Sequence, residues 1–396
     1  MRALFRSPTG LGALLFGLVL LAYFPSIFCG FIWDDDVGII NNENLRTLDG
    51  LGRIWSDPSK TPQGHYWPMV YTTYWLEYRL WGLNPAGYHV ANILLQAINS
   101  LFLWRLLLRL EVPGAWFVAA LFGVHPIQVE SVAWIIERKN LLCGVFSLST
   151  VLLFMTSLAK KSWTAYIGAI VLFVFAMLSK SSAFSLPFVL IILVGWRYPR
   201  EFLKRLCWTL PFLAIGSVIA WWDVSLVQKK EVIEHGLSLF DRLVISGKAF
   251  WFYPIKLLIP ANFVAVYPKW EVESFSTIDL VWPISVTLVG ILLLALAWKG
   301  RPGALAAYAL YAVLLAPTVG FVDFGFMALS FVADRFAYLA CIPLFALVVG
   351  GMRMVIQRSG NRGFWQIVIG GVLGVLVLLS AIQCRVYKNQ ETLVRH

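Results

Sequence analysis

Phe31-Ile-Trp-Asp-Asp-Asp-Val-Gly-Ile-Ile-Asn-Asn-Glu-Asn44 sets three adjacent carboxylates directly after the first hydrophobic stretch of the chain. Upstream, residues 11–29 are almost wholly apolar and uncharged, long enough at about 1.5 Å per residue to cross a bilayer. Three carboxylates do not sit in hydrocarbon, so Asp34, Asp35 and Asp36 mark where the chain leaves the lipid. Packed this closely they repel one another, and at least one should titrate abnormally or bind a cation. Taken alone, the run reads equally well as a solvated loop start with a helix-capping Asp.

Working outward, composition sets the class. The chain is 59% hydrophobic and 13% charged, which fits an all-α polytopic membrane protein and no soluble domain. The five cysteines, at 29, 143, 207, 341 and 384, share no metal-ligand spacing and fall mostly in apolar runs, as small buried hydrophobes do. A net charge of +11 raises the question of nucleic acid. The basic residues, however, lie in short clusters between apolar spans, where they act as topology signals, and no nucleic-acid partner is expected.

Eleven spans are read near 9–30, 88–108, 114–133, 141–158, 163–180, 183–197, 207–225, 278–298, 303–320, 336–352 and 364–384. Alternation then puts Arg2/Arg6, Arg105/Arg109, Lys160/Lys161, Arg197/Arg200/Lys204/Arg205, Lys299/Arg301 and Arg353/Arg358/Arg362 on one side, with only Glu111 and Glu201 as acids. By the positive-inside rule that side is cytoplasmic. The first span follows Arg2 and Arg6 but lacks an Ala-x-Ala-like cleavage site, so it reads as an uncleaved helix. The opposite side receives the other acids and the segments that look chemical. Residues 31–87 interleave Trp and Tyr with charges, the pattern of amphipathic helices seated in the headgroup layer. Within the external segment 226–277, residues 244–260 carry Lys248 and Lys256 in an apolar run too short and too charged for a span, and read as interfacial or re-entrant.

Candidate site residues gather on that outer side. His89, Asn92 and Gln96 share one helical face, where Asn92 and Gln96 serve equally well as helix–helix glue, while His89 lies nearer the carboxylates. Pro126 ends or kinks the third span and delivers His125 and Glu130 to the surface. Glu137, Arg138 and Lys139 follow, two cations against the positive-inside trend; an anion would explain them, and so would a salt bridge to Glu130 or Glu137. Lys180 ends the fifth span, and Asp334, Arg335 and Tyr338 open the tenth; His65 joins the set by its external position. Cations converging beside carboxylates at the outer leaflet are what a lipid phosphate and a general base require. Walker, GxGxxG, HExxH and GxSxG patterns are absent, and no inverted repeat with matching broken helices is visible.

Phe31-x-Trp33-Asp34-Asp35, Tyr66-x-Pro68, Tyr88-His89-x-x-Asn92, His125-Pro-x-x-x-Glu130-x-Val-x-Trp-x-x-Glu137-Arg138-Lys139, Lys180 and Asp334-Arg335-x-x-Tyr338 occur in that order. The pattern, over about residues 25–345, resembles the membrane part of the TMTC-type (transmembrane and tetratricopeptide repeat) O-mannosyltransferases and their bacterial relatives. The resemblance implies a GT-C-type bundle of about eleven helices over residues 1–396, a single domain with amphipathic helices in the first external loop. It implies a polyprenyl-phosphate-linked hexose donor, mannose in the animal members, and a hydroxyl acceptor on protein or glycan. The catalytic base carries over to Asp34, with Asp35 as its partner in the acidic pair. Gln96, Asn140 and Phe336 stand where relatives often have His, Asp and Tyr, and no tetratricopeptide period is visible.

Inverting hexose transfer at the outer face is therefore the leading expectation, with Asp34 taking the acceptor proton and Arg138, Lys180 or Arg335 holding the phosphate. His65, His89, His125, Glu130, Lys139 and Tyr338 complete the expected substrate contacts. No metal or cofactor is assigned; a hard divalent cation on the three carboxylates is the less favoured alternative. A lipid or polysaccharide transporter or flippase would need charges midway along spans, and a non-catalytic scaffold would keep the fold without the chemistry. The expected location is a membrane, most simply a bacterial inner membrane, with the N-terminus cytoplasmic. A reporter fused after His396 should be active only outside the cytoplasm; cytoplasmic activity would invert the assignment of the working face.

Overall fold

A computed structural model describes residues 7–58, 62, 64–230 and 235–395; Arg2, Arg6 and His396 lie outside the described residues. Among the described residues there is no strand, and the fold is an all-α membrane bundle. Among the described residues seven helices are long and apolar enough to span a bilayer, or eight if a bent pair counts as one span. Each of the eleven expected spans coincides with an apolar helix. The bent pair Ala115–Val124 and Pro126–Ala133 turns by 53° at His125, and Trp163–Met177, Ser181–Arg197 and Pro302–Thr318 are shorter than a full crossing. The count of eleven thus resolves into seven full-length helices, one broken pair and three short ones. Pro126 accounts for the break, because its ring removes a backbone donor where the helix would continue.

In chain order, α1 (Pro8–Tyr23) leads through the acid loop to two helices that are not among the spans, α2 (Leu48–Ser56) and α3 (Pro68–Trp81). Thr47 caps α2 by accepting from Gly50 N–H at 3.0 Å, and Pro68 opens α3 where no donor is needed. Gly50 is required here, since a Cβ would lie 2.1 Å from the Asn44 carbonyl oxygen. Trp55 and Trp75 indoles donate to Thr72 Oγ1 (3.0 Å) and Thr47 O (2.8 Å), locking α2 across α3. The central bundle follows as α4 (Pro85–Arg109), α5 (Ala115–Val124), α6 (Val129–Ala133), α7 (Arg138–Lys160), α8 (Trp163–Met177), α9 (Leu186–Arg197), α10 (Phe202–Leu206) and α11 (Leu210–Lys230). The segment expected to be interfacial is α12 (Leu239–Leu258), closed by a Ser238/Asp241 capping box and carrying Pro254 inside; it is not among the seven. The remainder is α13 (Val281–Trp298), α14 (Pro302–Leu315), α15 (Cys341–Ser359), α16 (Arg362–Cys384) and α17 (Gln390–Arg395).

The two ends of the bundle differ chemically, as the charge pattern requires. At one end Arg109 donates to Thr156 Oγ1 (2.6 Å), Arg205 to Leu158 O (3.2 Å), and Arg197 pairs with Glu111 (2.8 Å). At the other, Gly30 N–H donates to Lys388 O (2.9 Å), and the acid loop meets residues 134–140. Polar groups on α4 weld this end together. Asn92 donates to Val132 O (3.1 Å), Gln96 to Phe122 O (3.1 Å) and Asn99 to Leu141 O (2.9 Å), all buried. Helix–helix glue is thus the role of Asn92 and Gln96.

Arg138, expected at the phosphate, faces inward. It is 1% exposed; its guanidinium pairs with Glu77 of α3 and donates to Asn92 Oδ1 (2.8 Å), Tyr88 O (2.8 Å) and Thr73 Oγ1 (3.4 Å). Tyr74 lies under it at 4.8 Å. A guanidinium has five N–H groups, and this network occupies the fork. With four of the five in use at 1% exposure, Arg138 pins α3 to α4 and α7 and is absent from the lining of the cavity beside Lys180. Glu77→Ala leaves that charge buried and unpaired, and should cost about 3–5 kcal/mol in denaturant unfolding of the micelle-embedded protein. The pair Glu77→Leu with Arg138→Met should recover most of the loss. Full stability of Glu77→Ala alone would mean that Arg138 is not held as described.

Candidate active site

Three adjacent acids leave the chain in three directions. Asp35 is fully buried and accepts two backbone N–H bonds, from Ile32 (3.0 Å) and from Ile136 across the chain (2.8 Å). Asp34 beside it is half-buried, and Asp36 is exposed where it opens a wide turn over residues 36–40. The loop is held against residues 134–137 on both sides of Asp35. Trp33 takes a left-handed backbone (φ 47°), costly for a bulky residue. It is kept there by stacking on Trp134 at 5.5 Å and by its N–H donating to Gln390 Oε1 at 2.8 Å. Gly38 approaches Ile136 so closely that a Cβ would lie 2.3 Å from Ile136 Cδ1. Burial drives the Asp35 carboxyl up to about 7, against the pull of its two N–H donors and with the Asp34 charge adding to the rise.

Glu137 is the hub on the other side of that turn. Lys139 Nζ pairs with its Oε1 at 2.8 Å, Asn140 Nδ2 donates to Oε2 at 2.9 Å, and Arg335 Nε lies 3.6 Å from Oε1. Asn140 in turn accepts from Lys180 Nζ at 2.5 Å and donates to Ser131 Oγ at 3.0 Å. Arg335 is clamped by Glu130, which takes both its side chain and its backbone N–H (2.7 Å). Asp334 beside it accepts from Tyr267 OH at 2.8 Å; burial and then the Glu130 charge push its carboxyl well up.

Several of these residues border a small cavity of about 40 Å³, where Lys180, Arg335 and Asn140 share the lining with apolar side chains of Leu186, Leu314 and Phe336. Lys180 differs from the other cations around it. Its ammonium donates to the neutral amide of Asn140, and among the described residues no carboxylate lies within ion-pair distance. Lys139 is spoken for by Glu137 and by the Trp67 ring 5.3 Å away.

The expected set therefore divides. Lys180, Arg335 and Tyr338 line this cavity, with Glu130 behind Arg335 and Lys139 paired to Glu137. Tyr338 lines it with its ring while its hydroxyl donates to Gln96 Oε1 (2.6 Å) and accepts from Asn99 (2.9 Å). Two histidines stand apart. His125, 1% exposed, accepts from Ile127 N–H at Nδ1 (3.2 Å) and donates from Nε2 to Leu257 O (3.2 Å), which makes it the cap of the break in the third span. His89 is fully buried against the backbone of Cys29 and Gly30. His65 is half-exposed and meets Asp223 at 3.0 Å. Glu77 and Asp223 are absent from the expected set, and Asn140 enters it only as a departure from the related motif. Asp223 had a signal, as the one charged residue in the apolar run 207–225. Among the described residues no three His, Cys, Asp or Glu side chains are grouped to hold a metal, since the acid run splits.

Residues 60–222 match the family model of dolichyl-phosphate-mannose-protein mannosyltransferases. The chain is 32% identical over 178 residues to mouse protein O-mannosyl-transferase TMTC3, covering 42% of this chain and 19% of that protein. It is 31% identical over 159 residues to human protein O-mannosyl-transferase TMTC4, covering 34% and 22%. To the Caenorhabditis elegans protein O-mannosyl-transferase F38B6.6 it is 26% identical over 279 residues, covering 66% and 40%. The chain thus spans about a fifth of the length of the first two and two fifths of the third. The matched family region contains His65, Arg138, Lys139 and Lys180, while Asp34 and Arg335 fall to either side of it. By its sequence and its all-helical membrane architecture, the chain resembles the membrane part of the TMTC-type O-mannosyltransferases, glycosyltransferases of the GT-C superfamily.

Proposed function

We propose that the protein transfers a hexose, mannose by its relatives' names, from a polyprenyl-phosphate-linked donor to a protein hydroxyl at the extracytoplasmic membrane face. The observation that carries this reading is the cavity itself. Lys180 and Arg335 supply positive charge to its lining, which otherwise mixes polar groups such as Asn140, Ser147 and Ser182 with apolar side chains of Leu186, Leu314 and Phe336. A lipid phosphate likewise joins an anion to hydrocarbon. Lys180 lacks a carboxylate partner among the described residues, so its charge is available to an incoming anion.

In the reaction, the acceptor oxygen attacks the sugar C1 as the bond from C1 to the phosphate oxygen breaks. Asp34 takes the hydroxyl proton, and the departing polyprenyl phosphate keeps the bonding electron pair, its charge met by Lys180 and Arg335. The acid pair divides this labour in a way its geometry favours. Asp35 has both oxygens committed to N–H donors and positions the loop. Asp34 is half-exposed on the same rigid turn. Arg138, committed to Glu77, has no part in holding the phosphate.

Asp34→Asn should abolish mannose transfer from polyprenyl-phosphate mannose to a Ser/Thr peptide while leaving donor binding intact. Lys180→Ala should weaken donor binding by about ten- to a hundredfold, the value of one charge-assisted contact, and Arg335→Ala should weaken it too, with added instability from unpaired Glu130. Wild-type transfer by Asp34→Asn, or unchanged donor binding by Lys180→Ala, would sink the assignment. Asp35 makes a separate prediction about pH. Its folded value of about 7 stands above the unfolded value of about 3.9. The stability it contributes is full below that lower value and is lost as pH rises through about 7. The melting temperature of wild-type protein should therefore fall between about pH 4 and pH 7 and level off above, and Asp35→Asn, less stable throughout, should flatten that fall.

A further inference from the structure

Beside the cavity, next to Lys180 in the chain, stands a second polar array that the transfer step does not use. Asp223 of α11 is 5% exposed and accepts from Tyr66 N–H at Oδ1 (2.9 Å) and from Ser181 Oγ–H at Oδ2. Its Oδ2 also meets His65 Nδ1 at 3.0 Å. The imidazole lies flat on Trp67, centroids 4.3 Å apart and planes within 5°, and the Trp67 indole donates to the same Ser181 at 3.2 Å. Ser181 sits between Lys180 and Ser182, both of which line the cavity. The array therefore borders the proposed phosphate site within one residue of it.

An ionised carboxylate only accepts, so it draws the Nδ1 proton of a neutral imidazole and leaves Nε2 as a bare lone pair. Nε2 has no partner among the described residues, and the His65 side chain is 35% exposed. His125 shows the contrast, with both ring nitrogens consumed by backbone. A ring fixed by stacking below and by a buried acid behind, with its acceptor atom open, has the form of a recognition group.

We propose that His65, oriented by the positioning residue Asp223, binds a substrate hydroxyl through Nε2 at the rim of the cavity. The hydroxyl belongs either to the transferred sugar or to the acceptor side chain. Only the identity of those two sources rests on the transferase reading; the orientation of His65 does not.

The test uses the full chain in lipid nanodiscs and follows modification of His65 by diethyl pyrocarbonate, read by peptide mass spectrometry. This reagent attacks an unprotonated ring nitrogen, so wild-type His65 should react. Polyprenyl-phosphate mannose should protect it if the sugar supplies the hydroxyl, and a Ser/Thr peptide if the acceptor does. Polyprenyl phosphate alone should not. In Asp223→Asn the amide donates to Nδ1 and moves the proton to Nε2, so modification should slow severalfold although the ring is equally exposed. In turnover, His65→Ala should raise KM for the protecting substrate by about five- to tenfold, the worth of one neutral hydrogen bond, with kcat little changed. His65→Gln, which keeps an acceptor oxygen, should restore most of it, and Asp223→Asn should add nothing to His65→Ala. Protection by bare polyprenyl phosphate, by no probe at all, or an unchanged KM in His65→Ala would overturn the proposal. Protection by the sugar lipid without any transfer by the wild-type protein would keep the His65 assignment and discard the transferase reading. Transfer with His65 unprotected would do the reverse.

Discussion

The ion pair between Arg138 and Glu77 is the constraint on which the outer end of this protein is built. A guanidinium at 1% exposure is tolerable only where a carboxylate and enough acceptors meet its fork. Those acceptors come from α3 and α4, so the pair fixes α3 against two helices of the bundle. Consecutive residues at a helix start diverge by about 100°. With Arg138 pointing inward, Glu137 and Lys139 are turned toward other neighbours. Glu137 then becomes the hub that gathers Lys139, Asn140 and Arg335. Burying one charge thereby sets the directions of its two neighbours.

The acid loop shows how three like charges in a row can share a rigid turn. Repulsion falls if the carboxylates separate, and the turn at 36–40 separates them. The cost moves to Asp35, whose burial drives its pKa to about 7 even with two N–H donors in place. What the fold gains is register, because Ile136 N–H lies in the same turn as Glu137. Asp34 is thus tied to the cation cluster through two residues of backbone, without any direct contact being needed.

Much of this was legible in the sequence, and for identifiable reasons. Spans depend on local composition, and each expected span found its apolar helix among the described residues. The breaks were harder. Residues 163–180 and 183–197 are apolar enough to look like full crossings, yet the chain turns at Lys180 to meet Asn140, a partner 40 residues away. Arg138 was misplaced for a similar reason. Its charge signalled an anion, correctly, but the anion was Glu77, 61 residues upstream, and nothing local distinguishes an internal carboxylate from a ligand phosphate. His125 looked external because Pro126 ends a helix there; it is instead the group that satisfies the backbone of that break.

The choice between Arg138 and Lys180 as the proposed phosphate contact turns on what each cation can still do. Arginine recognises through a planar fork of fixed donors, and once a fork is filled it offers nothing further. Lysine is a point charge with three rotatable donors on a flexible stem. Lys180 spends one of those donors on Asn140, a neutral acceptor that holds the ammonium without neutralising it. That residue is Asn in a position where the related motif often carries Asp. An aspartate there would pair with Lys180 directly, and an incoming phosphate would have to compete with it. With asparagine, the ammonium is positioned without a paired carboxylate, at a cavity lined by both hydroxyl and apolar side chains. The departure from the motif therefore bears on the site's chemistry: it shifts the counter-charge from the protein to the ligand, so donor binding here should lean on Lys180 more heavily than where a carboxylate shares that lysine.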